Sequence, residues 1–150
     1  MSLLIREATE ADLPGVLALY GQSGLDNEAV LSVAQAREVF QQFARYPSYR
    51  LFVACEPAFP DSVIATYALL VMHNLAHCGA PSAIAEDVVV HPQRQGRGIG
   101  RQLMAHAIEQ AREAGCYKLA LSSNAKRQAA HAFYESLGFQ RHGLSFVIET

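Results

Sequence analysis

Three glycines at alternate positions, Gly96, Gly98 and Gly100, separate the run Val88-Val89-Val90 from an amphipathic stretch that begins at Ile99. Arg94, Arg97 and Arg101 stand among them. Glycine carries no Cβ, so the main chain can approach a ligand closely at such positions. The first N–H groups of a helix have no internal partner, and they converge with the positive end of its dipole. A strand, a glycine turn and a helix start flanked by arginines therefore make an anion pocket, and a pyrophosphate suits it. Two other phosphate motifs do not fit. The dinucleotide pattern G-x-G-x-x-G fails because the sixth residue from Gly96 is Arg101, and the turn lies past the middle of the chain. A Walker loop requires Gly-Lys-Ser/Thr, which is absent. Taken alone, the glycine triplet also fits a ligand-free loop.

A second group of reactive types precedes it. His73 and His77 share one face of an extended segment with Leu75, and Cys78 and His91 lie nearby in sequence. These are metal-ligand types, but strand positions four apart are separated by about 13 Å, so no tightly bound metal is expected unless the chain turns between them. Cys55, Cys78 and Cys116 are odd in number, scattered and without a CxxC pair, which points to buried thiols in a reducing cytoplasm.

These groups need a scaffold. The 150 residues are 51% hydrophobic and 17% charged, enough for one self-sufficient domain spanning 1–150. No apolar run is long enough for a membrane span, and the N-terminus lacks the pattern of a signal peptide. The net charge of −2 argues against nucleic acid, yet it is uneven. Residues 1–90 hold 4 basic and 10 acidic side chains, whereas 91–150 hold 8 and 4, which suits a local anionic ligand.

The pattern predicts strands over 3–8, 49–55, 62–72, 83–90, 117–122 and 144–149. Helices are expected after a Thr9-Glu10-Ala11-Asp12 cap, over 30–44, over 99–114 with stripe Ile99, Leu103, Ala107, Ile108 and Ala111, and over 125–137 with stripe Ala129, Ala132, Phe133 and Leu137. This is a single α/β domain.

Gln93-x-x-Gly96-x-Gly98 after a hydrophobic strand, followed by Ala132-Phe133-Tyr134-Glu135-x-x-Gly138-Phe139, resembles the GNAT superfamily of acetyl-CoA-dependent N-acetyltransferases. The resemblance covers nearly the whole chain. It implies an α/β fold with a mixed sheet of about seven mostly antiparallel strands, four flanking helices and splayed central strands. It implies acetyl-CoA as cosubstrate. Val88, Val89 and Val90 would offer main-chain groups to the pantetheine arm. The amides of Gln95, Gly96, Arg97, Gly98, Ile99, Gly100 and Arg101 would hold the pyrophosphate. Asn124 and Tyr134 would lie near the thioester. Homodimers are common in the resembling families, so a dimer is an expectation too.

Amide formation from an amine and a thioester needs a deprotonated amine, a polarised carbonyl and a proton for the thiolate. Tyr134, a phenol protonated at neutral pH, is the expected acid. Glu86 is the expected base, with Asp87 on the opposite strand face and His73 or His77 as alternates. Leu121 to Arg127 and Ala130 to Tyr134 are similar to aminoalkylphosphonate N-acetyltransferases. Ile84 to Val90 and Gly115 to Lys118 are similar to glucosamine-phosphate N-acetyltransferases. The acceptor is therefore expected to be a small, anionic primary amine, with Arg50, Lys126 and Arg127 as partners for its charge. A catalytically idle CoA-binding module and a protein or peptide acetyltransferase are the alternatives.

Overall fold

The structure, a computed structural model, describes all residues from 1 to 150. Its elements are β1 (Leu4–Glu7), α1 (Leu13–Ser23), α2 (Val33–Phe43), β2 (Tyr49–Glu56), β3 (Phe59–Met72), β4 (Ser82–Val90), α3 (Ile99–Glu113), β5 (Leu119–Leu121) and α4 (Gln128–Ser136). The chain forms two compact units, Met1–Ala120 and Leu121–Thr150. No helix is long and apolar enough to cross a membrane.

In the first unit, local chemistry sets the entry to α1. Thr9 and Asp12 form the expected capping box. The Asp12 carboxylate accepts from the Thr9 N–H at 2.8 Å and pairs with both Arg6 nitrogens, at 2.7 and 2.8 Å. Hydrogen bonding from Arg6 holds this buried carboxyl below its ordinary range. Helix α2 starts at Val33, three residues later than the pattern predicts, because Ser32 and Gln35 form a capping box there.

The sheet runs β1-β2-β3-β4-β5, with the first four strands antiparallel. Alternation along the strands gives it two apolar faces. Leu51, Val53 and Ala68 join Leu13, Val16 and Ala36 in the core beneath α1 and α2. Phe52 and Tyr67 point the other way and meet His106 of α3, a helix that also buries Leu103, Met104 and Ala107. Bonds from Ala83 to the Lys118 carbonyl and from Tyr117 to the Pro81 carbonyl join β4 to the β5 segment at the beginning of β4. The three residues of β5 cannot line all nine of β4.

The mixed α/β class and the four helices are as expected, but the sheet has five strands, not seven. No strand forms at 144–149. Leu144, Phe146, Val147 and Ile148 are all exposed there, and strand-forming residues without a partner ladder do not make a strand. Within the second unit, α4 is shorter than predicted and buries none of its stripe: Ala129 and Ala132 are exposed.

Candidate functional site

The turn between β4 and α3 is built by glycine. His91 ends β4, and its ring Nδ1 accepts from the Gln93 N–H at 3.2 Å, opening a short 3-10 turn over Pro92–Arg94. Gly96 and Gly98 follow with φ of 77° each, the left-handed region that a side chain resists. Gly98 is the N-cap of α3 and supplies no capping side chain. The first main-chain bond of the helix runs from the Gln102 N–H to the Gly98 carbonyl, so the amides of Ile99, Gly100 and Arg101 precede the ladder. A Cβ placed on Gly96 or Gly98 would meet nothing within 4 Å. The main chain is therefore uncovered, as a pyrophosphate cradle requires. Ile99 is buried and anchors the helix start, while Gln95, Arg97 and Arg101 are exposed.

The three arginines differ. Arg94 is bound to Glu56 at the end of β2, which ties the turn to the β2–β3 hairpin. The other ion pairs use Arg6, Arg112 and Arg141, so Arg97 and Arg101 have no carboxylate partner.

Upstream, the β3–β4 ladder slips. Thr66 pairs with Val89 and Ala68 with Glu86, so Tyr67 alone faces both Asp87 and Val88. This is a β-bulge, and Asp87 takes φ 51° within it. The sequence alternation puts Glu86 and Asp87 on opposite faces. The bulge interrupts that alternation at Asp87 and Val88, and both carboxylates act electrostatically on Tyr49, Asp87 also on Tyr20. Burial, reinforced by Asp26, pushes the Asp87 carboxyl above its ordinary range. Burial likewise pushes the Tyr20 and Tyr49 phenols up. In the sequence pattern Tyr49 is the start of a predicted strand, and nothing local marks Tyr20. Only the bulge, a long-range feature, reveals that they share surroundings with the two acids. Of the valines, Val89 is buried and Val88 and Val90 are half-buried.

The histidine segment is not extended. Asn74 donates from its side chain to the Ala80 carbonyl at 2.7 Å, and His77, Cys78 and Gly79 all take positive φ. The His77 ring lies on Tyr117 with centroids 4.5 Å apart. No three His, Cys, Asp or Glu side chains gather where they could hold a metal.

Asn124 and Tyr134 belong to the second unit. The Asn124 side chain accepts from the Lys126 N–H at 2.9 Å, and its carbonyl lies 2.9 Å from the His131 ring nitrogen Nε2, which organises the start of α4. Tyr134 contacts Phe133 and Phe139, at 5.4 and 5.9 Å between centroids. Burial raises its phenol, partly offset by Arg127, so it stays protonated at neutral pH. Lys126 and Arg127 are exposed. Arg50 lies over the Phe52 ring at 5.0 Å.

Comparison with known proteins places these features in context. The description "Acetyltransferase (GNAT) family" matches residues 17–139. The chain is 34% identical over 143 residues to an aminoalkylphosphonate N-acetyltransferase of Salmonella typhimurium, covering 95% of this chain and 88% of that one. It is 29% identical over 150 residues to a glucosamine 6-phosphate N-acetyltransferase of Trypanosoma brucei brucei, covering 95% and 92%. A solved structure from Agrobacterium tumefaciens superimposes with a TM-score of 0.88 at 39% identity, covering 100% of both chains.

Proposed function

The chain belongs to the acetyltransferase (GNAT) family and is an acetyl-CoA-dependent N-acetyltransferase, and from that premise we propose that its acceptor is the primary amine of a small anionic metabolite. The acceptors named for the Salmonella and Trypanosoma relatives both carry an anionic phosphorus group beside an amine, which supports that class. The observation that carries the cosubstrate half of the reading is the helix start at Gly98: two left-handed glycines, no capping side chain and unpaired amides before the first helical bond. Residues 1–150 act as one catalytic domain in this reading, in a cytoplasmic homodimer.

The residues divide the work as follows. The amides from Gln95 to Arg101, with Arg97 and Arg101, grip the pyrophosphate, and Val88 to Val90 offer main-chain groups to the pantetheine arm. Glu86, with Asp87 beside it on the bulge, holds the ammonium and takes its proton directly or through water. The freed amine attacks the thioester carbonyl, a C–N bond forms, the C–S bond breaks, and the Tyr134 phenol protonates the leaving sulfur; the proton that the nitrogen sheds as the amide forms restores the phenol through solvent. Asn124 lies near the thioester end. No covalent enzyme intermediate is needed, because alignment in a ternary complex supplies several kcal/mol.

Thiol release from acetyl-CoA across a panel of amines tests this. Aminoalkylphosphonates and amino-sugar phosphates are expected to react faster than uncharged amines of the same size. Binding of CoA with no release for any amine would instead favour an idle sensing module, and release only with peptides would favour a protein acceptor. Tyr134→Phe should lower turnover about a hundredfold while leaving CoA affinity intact. Equal kinetics would remove it as the acid.

A further inference from the structure

Tyr67 occupies the one β3 position at which the ladder with β4 slips, facing Asp87 and Val88 together. Its side chain is fully buried on the opposite face of the sheet. There it stacks on Phe52 at 5.1 Å, and its hydroxyl lies 2.7 Å from Nδ1 of His106. His106 stands on α3, eight residues after Gly98, or about 12 Å along the axis. Its ring also meets Phe52 edge-on at 4.9 Å.

Packing does not require this arrangement. A phenylalanine fills the tyrosine volume without bringing a hydroxyl that must find a partner. Apolar contact is non-directional and lets a helix settle at neighbouring positions over a sheet, whereas a hydrogen bond selects one distance and one angle. The bond ties α3, whose start carries the amides assigned to the cosubstrate, to the β3 residue that faces the β4 bulge bearing the carboxylates assigned to the amine.

We propose that the Tyr67–His106 hydrogen bond is a positioning device that fixes the pyrophosphate-binding start of α3 against the Glu86–Asp87 bulge of β4. The inference rests on the acetyl-transfer reading. The bond works between neutral partners: burial raises the phenol and lowers the imidazole, with Arg50 lowering the imidazole further and Glu113 opposing it. The phenol therefore keeps its hydrogen and the imidazole stays neutral, and the tautomer of His106 sets which of the two donates.

The consequence is a kinetic signature. Each half of the site is locally intact without the bond, so acetyl-CoA and amine still bind, but their reacting atoms no longer meet at the right distance. A displacement near 1 Å can cost about a hundredfold in rate, and a looser helix should cost about tenfold. Tyr67→Phe and His106→Leu should each lower kcat about tenfold, with both KM values within about twofold of wild type. The double variant should be no slower than either single one. His106→Asn, whose amide can donate or accept near where Nδ1 stood, should recover most of the turnover.

An unchanged kcat, additive losses, or no recovery in His106→Asn would overturn the proposal. Crystal structures of CoA-bound wild type and Tyr67→Phe give a second readout that needs no turnover. The start of α3 should move relative to Glu86 and Asp87, and superimposable backbones would overturn the device. A wild type that acetylates nothing would instead defeat the acetyl-transfer reading, and the two structures would still decide the positioning role.

Discussion

Two left-handed turns bracket β4, and they do different things with the same backbone region. The earlier one places His77, Cys78 and Gly79 at φ of 55, 58 and 77°. The later one places Gly96 and Gly98 at 77° each. In the first, two residues with side chains occupy a conformation that costs on the order of 1 kcal/mol apiece. That turn closes on itself through Asn74, and the His77 ring is laid on Tyr117. In the second, only glycines are left-handed, and a helix whose first amides have no main-chain partner opens directly behind it. The turn rich in reactive side chains is held by its own contacts. The turn without side chains leaves amides free for an anion. Asp87, left-handed at 51° on the strand between them, bears a side chain like the first turn but sits in a bulge aimed at tyrosines, next to the second.

The largest effect should separate the turns outright. Gly98→Asp puts a side chain on a left-handed residue and a negative charge at the helix start. CoA affinity, measured by calorimetry, should fall on the order of a hundredfold or more, since two anions would share a partly desolvated pocket. Gly79→Asp is the matched control and should leave that affinity alone while lowering Tm. Equal losses at both positions would erase the distinction, and an unchanged Gly98→Asp would put the anion elsewhere.

Asp87 decides whether strain on β4 belongs to function. Asp87→Asn should reduce kcat/KM for the amine about tenfold with CoA affinity unchanged. The same variant should raise Tm at pH 7. A carboxyl whose folded pKa is raised favours the folded state when protonated, and that advantage is lost as pH rises through the folded pKa. Removing the charge removes the penalty. A variant both slower and more stable supports a functional strain, whereas one that is less stable and equally active places Asp87 with the earlier turn.

A smaller change sharpens the same point. Part of the upward push on Asp87 comes from Asp26, after burial. In the proposed reaction Asp87, beside Glu86, helps hold the ammonium only when ionised, so kcat/KM should fall on an acid limb that lies higher than an ordinary carboxylate allows. Asp26→Asn removes a like charge and should move that limb to lower pH, though not fully, because burial remains. A limb that stays in place would mean that Asp87 does not set it.

These contrasts also mark where sequence reading stops. The glycine turn was legible because its chemistry is local: strand, turn and helix are consecutive, and α3 runs over 99–113 against a predicted 99–114. The bulge was not, since it exists only in the register between β3 and β4, and period-two alternation sends Glu86 and Asp87 to opposite faces. The Tyr67–His106 bond joins residues 39 apart and leaves no trace in local pattern. The apolar residues of 144–149 read as a strand because propensity does not know whether a partner edge exists. His73 and His77 looked coplanar only on the assumption of an extended chain, whereas the chain bends at Leu75 and Ala76.

The smallest predicted effect tests the strain in the earlier turn directly. Cys78 is exposed, left-handed and without any side-chain role in the surrounding bonds. Cys78→Gly relieves the left-handed cost but adds freedom to the unfolded chain, and the two terms oppose each other. The left-handed penalty of about 1–2 kcal/mol slightly exceeds the glycine entropy of about 0.5–1 kcal/mol, so a net gain of a few tenths to about 1 kcal/mol is expected. Thermal unfolding should rise by a few degrees at most, near 2–4 °C for a chain of this size. Turnover and CoA affinity should not move. A fall in turnover with Tm unchanged would show that the side chain, not the backbone, matters there, and the contrast between the two turns would then be one of ligands rather than of glycine.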